Sequence, residues 1–580
     1  MRERLSQAIA AVAERLLRDA GADGAAGELP EFSVEVPRQP EHGDFATNAA
    51  MLLAKRLHRP PREIAGALAE ALAQSPGVTR AEVAGPGFVN VWLAQDRWRA
   101  LLVEILGAGP SYGASDAGKG QKIQVEFVSA NPTGPLSVGH GRQAVLGDCI
   151  ARLLEAAGWK VTREYYFNNG GRQMRVLGES VKARYLELLG FASPPPRDAL
   201  EDATLPWPEA IDGKPVLLPR DGYQGDYIVE IADAIRAEHG EGWAGEPGDA
   251  GFKATAESII FVGIKATLDL LGIVFDVYFN ETSLYESGKI EAALADLRAS
   301  GLVYDEGGAV WLRATELGLA RNRVLVKSSG EPTYLLPDIA YHREKFRRGF
   351  DRIVDVMGAD HVDQVPFVRA ALRLLGFDPE RVELVMHQFV TLSSGGKTVK
   401  QSTRRATFIT TDELVEEVGV DVFRFFMVER KAEGHLDFDL DLAKEKDWSK
   451  NPAYYVQYAH ARACGIERQA AERGVAPPVP ERVSGEKLAL PEELELLRKL
   501  GAFPELVSRA AGARAPHHVT YYLRDLAGLW NPYVQDGKRH RVLNEDDPAL
   551  TEARLALTGA VRTVLARGLG LLGMSAPERM

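Results

Sequence analysis

The spacing of apolar and polar positions divides the chain into three stretches of different period. Up to residue 112, short alternating runs mix with amphipathic ones. Leu5, Ile9, Val12 and Leu16 fall on one helix face, 32–36 and 87–93 read as strands, and His42-Gly-Asp-Phe-Ala-Thr-Asn48 leads into an apolar helix over 49–57. From 113 to 447, apolar runs of strand length alternate with helical periods. The first run is 122–128. Asn131-Pro-Thr-Gly-Pro135 breaks it, and from Gly139 the residues Val145, Cys149, Leu153 and Leu154 recur at helical spacing until Gly158. Further strands are predicted at 159–167, at 323–327 with Tyr334, and at 351–357. Residues from about 175 to 325 interrupt this alternation, with proline- and glycine-rich loops at 193–219 and 240–251 and a strand-like 309–313. From 448 to 580 the period is helical, with connections at 477–480 and 543–548. The expectation is an α/β protein: a small α/β domain at 1–112, a Rossmann-type parallel-sheet domain at 113–447 carrying an insertion at about 175–325, and an all-α domain at 448–580.

At 580 residues, 45% hydrophobic and 26% charged, the chain has the composition of a soluble protein with several domains. It holds no run of about 18 apolar residues, and Met1-Arg-Glu-Arg opens directly into an amphipathic helix. Neither a membrane span nor a secretory signal is expected, and the cytoplasm is the default compartment. Two cysteines, Cys149 and Cys464, are too few for a disulfide framework or a cysteine-based zinc site, and no protein-bound metal is expected. The net charge of −12 argues against a general nucleic-acid coat. Residues 451–580 nevertheless carry 17 Lys and Arg against 15 Asp and Glu, a slightly basic region on an acidic body. Such a region can present a phosphate-facing surface.

Candidate chemistry concentrates at 122–158. Strand, tight loop and helix form the first half of a nucleotide-binding βαβ unit. The helix N-terminus offers free N–H groups and a positive dipole end to phosphate. Gly139 and Gly141 leave backbone on which a flat base could lie, and His140 adds a donor beside developing charge. No G-x-G-x-x-G followed by a ribose-binding acid occurs, which sets aside a dinucleotide-dependent oxidoreductase. Later, Thr333-Tyr-Leu-Leu-Pro-Asp338-Ile-Ala-Tyr-His342 places a carboxylate four residues after a tyrosine. By itself the carboxylate of Asp338 reads as a cap for the helix that follows.

Pro135-Leu-Ser-Val-Gly-His140-Gly-Arg, with Asn131 upstream, resembles the HIGH-type motif of class I aminoacyl-tRNA synthetases. The wider stretch from Val125 through Asp148 is similar to the arginyl-tRNA synthetases, as are 333–351 and the run Val456-Gln-Tyr-Ala-His-Ala-Arg462. The family usually has histidine at Ser137 and an acid at Asn169. The segment 399–408 resembles the mobile KMSKS-type loop: Lys400 and Ser402 match, Gln401 and Thr403 depart, and Arg404 and Arg405 keep it cationic.

This resemblance implies activation of arginine by ATP, carried with Mg²⁺, and transfer of the arginyl group to the 3′ end of tRNA(Arg). It implies an arginine pocket of Glu126, Asn131, Tyr334 and Asp338, with His361 close by and the Asp338 carboxylate as a planar bidentate partner of the guanidinium. ATP would meet Ser137, Gly139, His140, Gly141, Lys400 and Ser402, and His140, Lys400 and Arg404 would assist the chemistry. The 1–112 domain would touch the tRNA elbow and the terminal helices the anticodon, with Tyr521, Tyr522, Trp530 and Tyr533 as stacking candidates. A monomer is expected. Because Ser137, Asn169 and Thr403 soften the motifs, the alternative is a non-charging paralogue that binds arginine or RNA.

Overall fold

The structure is a computed structural model that describes residues 2–19, 29–30, 32–35, 37, 39–94, 96–201, 205–359, 363–398 and 409–580. Its centre is a five-stranded, all-parallel sheet of β1 (Lys122–Glu126), β2 (Lys160–Phe167), β3 (Val277–Asn280), β4 (Arg352–Gly358) and β5 (Val382–His387), in the order β5-β4-β1-β2-β3. The strand order reverses between β1 and β4, and ligands of open α/β sheets bind at the carboxyl ends of the strands beside such a reversal. Ile123, Val125, Tyr165, Ile353 and Val354 have no exposed surface, as parallel strands covered on both faces require.

The first crossover helix, α1 (Val138–Ala156), follows β1 after the proline-rich loop. It is buried along almost its whole length, and its buried charges are paired inside the fold, Arg142 with backbone carbonyls and Asp148 with Arg424 and Arg152. The helix α2 (Leu335–Arg347) precedes β4 and covers the other part of the sheet.

Two sequence expectations are corrected here. The stretch expected to be an insertion contributes β3 to the central sheet, which pairs in register with β2 from Glu164↔Val277 to Phe167↔Asn280. The sheet does not resume at 323–327. Arg323–Val326 pairs antiparallel with Ala309–Leu312, which pairs with Val303–Glu306, in a separate three-stranded sheet. Both runs are short and apolar, and period alone does not say which sheet such a run joins. Tyr334 lies at the start of α2 rather than in a strand.

The amino-terminal unit is a four-stranded antiparallel sheet backed by helices Arg2–Asp19, Ala49–Leu57 and Pro61–Ala73. Its core of Ile9, Leu53, Ile64, Leu68, Val89 and Val91 extends no further than Leu93. Helix Asp96–Ala108, grouped with residues 1–112 by sequence, buries Leu101, Leu102 and Ile105 in the core shared with the terminal helical bundle. That bundle includes α4 (Pro452–Glu472), α5 (His517–Gln535) and α6 (Pro548–Leu571), and α3 (Val420–Met427) joins it to the sheet domain. Among the described residues, no helix is long and apolar enough to cross a membrane.

Candidate active site

Glu126 ends β1, and Asp355 stands beside it in β4 as its register partner. Two carboxylates side by side in a dry interior demand a cation, and α2 supplies it. Lys345, fully buried, donates to Glu126 at 2.6 Å and to Asp355 at 2.7 Å. One turn earlier on α2, His342 Nε2 lies 2.8 Å from Asp355, and its Nδ1 lies 2.8 Å from the carbonyl of Asp338. Burial alone would raise the Asp355 carboxyl, but Lys345 and His342 hold it well below the usual carboxylate range. Ser129 completes the Glu126 shell, donating at 3.0 Å while accepting the Tyr166 backbone N–H.

Asp338 is the fourth residue of α2, not its cap: the cap position is Tyr334, which makes no side-chain capping bond. The capping alternative therefore fails. Burial pushes the Asp338 carboxyl up to about 7. His342 and Lys345 pull it back, and the Glu126 and Glu281 carboxylates push it further. Glu281 follows β3 and accepts the Tyr166 hydroxyl at 2.6 Å. Three carboxylates thus share one field. Glu126 is matched by Lys345 and Glu281 by a phenol, whereas no side-chain partner of Asp338 is found among the described residues. An acid in that state gains strongly from a cationic ligand. Tyr334, at the start of α2, is 65% exposed. Asn131 reaches the first turn of the helix Gly171–Leu188 that follows β2 and donates to Gln173 at 2.6 Å. Asn169, the missing acid, is held by Glu257 and Thr282.

At the other side of the crevice α1 begins. Ser137 caps it: its hydroxyl accepts the His140 backbone N–H at 3.4 Å, and its own N–H points at His140 Nδ1 at 3.3 Å. Gly139 faces open space, because a Cβ there would meet only the Ser137 hydroxyl at 3.7 Å. Gly141 differs. A Cβ would lie 2.7 Å from Phe423 and 2.8 Å from Thr411, so its bare face is filled by protein, not left for a base. His361, Lys400, Ser402 and Arg404 lie outside the described residues.

Sequence reasoning missed Glu281, His342, Lys345 and Asp355. The spacing of His342 and Lys345 after Asp338 on one helix was a usable signal, since the three share a face. Glu281 had none, because β3 was not recognised.

A second feature lies where α4 and α5 meet. A cleft of about 410 Å³ is lined by Lys450, Tyr455, Tyr521, Arg524 and Asp525. Of the four stacking candidates, Tyr521 is 42% exposed, whereas Tyr522, Trp530 and Tyr533 are core residues whose polar atoms bond inside the bundle.

The reversed parallel sheet, the capped helix after β1 and the helical bundle docked on the sheet domain agree with the class I aminoacyl-tRNA synthetases, the class whose catalytic-domain model this chain matches. Three family models match: the arginyl tRNA synthetase N terminal domain at 1–93, the tRNA synthetases class I (R) catalytic domain at 102–190 and 247–433, and the DALR anticodon binding domain at 456–580. The arginine–tRNA ligase of Desulfotalea psychrophila is 49% identical over 95% of both chains, and that of Salinibacter ruber 47% identical over 96% of this chain and 98% of its own. The solved arginyl-tRNA synthetase of Thermus thermophilus superimposes over 100% of both chains with a TM-score of 0.72 at 26% identity. The chain belongs to the arginyl-tRNA synthetase family.

Proposed function

We propose that this chain ligates arginine to tRNA(Arg) in two steps at the crevice between β1 and β4. The carboxylate of arginine attacks the α-phosphate of ATP, forming arginyl-adenylate and releasing pyrophosphate. The terminal ribose hydroxyl of the tRNA then attacks the arginyl carbonyl and releases AMP. Neither step needs a side-chain nucleophile, so orientation and charge stabilisation carry the rate. The observation behind this reading is the Asp338 carboxyl, without a side-chain partner among the described residues, in the field of Glu281 and of Glu126, which ends the strand leading to α1.

In this reading Asp338 receives the guanidinium, with Glu281 adding negative field and Tyr334 closing over the aliphatic stem. Glu126 and Asn131 orient the amino-acid end. ATP, arriving as its Mg²⁺ complex, meets the α1 N-terminus at Ser137, Gly139 and His140. By the family resemblance, Lys400, Ser402 and Arg404 of the segment 399–408 would steady its phosphates, and His361 would serve near the substrates. Tyr521, with Lys450 and Arg524 beside it, offers a stacking face and cations to an unpaired nucleotide of the tRNA. Residence in the reducing cytoplasm fits both buried free thiols, and the acting form in this reading is a monomer.

Charging of a tRNA pool with radiolabelled arginine tests the proposal. The expected result is ATP-dependent arginyl-tRNA formation with citrulline rejected, because the neutral urea leaves the carboxylate without its ionic partner. Arginine binding without any charged tRNA would favour the non-charging alternative.

A further inference from the structure

The buried arginine of α3 joins parts of the chain that are far apart in sequence. Arg424 has no exposed surface, and its guanidinium donates to Asp148 of α1 at 2.5 Å, the carbonyls of Leu271 and Leu572 at 2.8 Å each, and the Cys149 sulfur at 3.9 Å. Leu572 closes the last helix of the bundle, and its carbonyl also receives the Cys149 thiol of α1 at 3.5 Å. The approach is so tight that a Cβ on Gly573 would sit 2.0 Å from the guanidinium, and Gly573 adopts a φ of +67°. Only glycine fits both conditions.

Beyond that point the chain is fastened again. The Ser575 N–H donates to Asp421 of α3 at 2.9 Å, its hydroxyl bonds the same carboxylate, and Gln457 of α4 joins them at 2.7 Å. The Pro577 carbonyl meets His460 of α4 at 2.9 Å. A terminal segment with no role would not need this many directional bonds, since each fixed residue costs about 1–2 kcal/mol of conformational entropy.

We propose that the segment from Leu572 to Pro577 is a positioning element for His140, acting through Arg424 and Asp148. Asp148 and His140 lie on the same rigid helix, eight residues and so about 12 Å apart. A helix of this kind transmits an axial slip undiminished, and a displacement of about 1 Å at a reacting group can cost up to about a hundredfold in rate. Arg424 is thus a positioning residue: it touches no substrate but sets where α1 stops. The inference rests on the assignment of His140 to the reacting end of the site.

The test measures steady-state arginylation in the full chain, in Asp421→Ala, in Arg424→Lys and in a chain ending at Gly573, each also carrying His140→Ala. The expected result is a turnover about tenfold lower for Asp421→Ala and for the shortened chain. KM for ATP and arginine should stay within about twofold, and the melting temperature should stay close to that of the parent. In the His140→Ala background the same changes should cost less than about twofold, and Arg424→Lys with the shortened chain should be less than additive. Unchanged turnover overturns the proposal, as does an equal loss in the His140→Ala background or a rise in KM with turnover held. If His140→Ala alone leaves turnover intact, the assignment of His140 fails separately, and a tail effect that persists there refutes this route. Should the shortened chain not fold, Asp421→Ala decides alone.

Discussion

Lys345 donates to Glu126 across 2.6 Å with neither side chain substantially exposed, so the charge of the pocket floor is fixed before any ligand arrives. The same ammonium holds Asp355, and the three groups form one unit across β1, β4 and α2. Removing one member of such a unit leaves uncompensated charge in a dry site.

Lys345→Met should accordingly cost about 3–5 kcal/mol of stability, read from urea unfolding at pH 7. The sign of the pH dependence follows from Asp355. Its folded carboxyl is held below the usual range, so the stability it contributes is present above about pH 4 and is lost as pH falls through the folded value. The gap between the parent and Lys345→Met should narrow below about pH 4.

Arginine affinity should depend on pH through Asp338, whose carboxyl is pushed up to about 7 by burial. Below that value the site must lose a proton to accept a guanidinium. The dissociation constant should rise about tenfold per pH unit below 7 and level off above it. Calorimetry in buffers of different ionisation heat should show proton release on binding at pH 6. Asp338→Asn should weaken arginine at pH 8 by about 3–5 kcal/mol and abolish the proton release. A flat profile between pH 5.5 and 8 would remove Asp338 from the pocket.

His140→Ala should lower turnover by about 10²–10³ with little change in the KM for ATP, because a donor at the α-phosphate acts mainly on charge that develops in the transition state. A raised KM with turnover intact would make the histidine a ground-state contact.

Tyr521→Ala should weaken tRNA binding by about 1–3 kcal/mol, the value of one base–aromatic stack, and leave arginine affinity unchanged. Tyr522→Ala should instead destabilise the bundle, since that ring is buried and bonds the Lys499 carbonyl. Filter binding and thermal melting separate the two.

The sequence made the helix after β1, the strands at 160–167 and 352–358 and the terminal helical domain readable, because each is long or strongly patterned. Glu126 was singled out by the family resemblance alone and Asp338 by that resemblance together with its place four residues after Tyr334, and the structure sets their carboxylates in one electrostatic field. The strand at 277–280 was not legible, since four residues carry too little period to separate it from a loop or a foreign sheet. Without that strand Glu281 had no place. Lys345 and His342 share a helix face with Asp338, which their spacing could have shown, but their partner Asp355 lies on another strand that only the tertiary fold brings to them. Arg424 was hidden for the same reason, because its partners lie 148 to 276 residues away.

The cap at the start of α1 also decides where a proton resides. Ser137 turns its backbone N–H, and at 3.1 Å its hydroxyl, toward Nδ1 of His140, so this nitrogen is an acceptor. In the neutral ring the hydrogen must then sit on Nε2, as the tautomer able to donate from the far side of the imidazole. The backbone N–H makes this bond whatever the side chain, so Ser137→Ala should keep the hydrogen on Nε2 while the lost hydroxyl cap loosens the start of the helix.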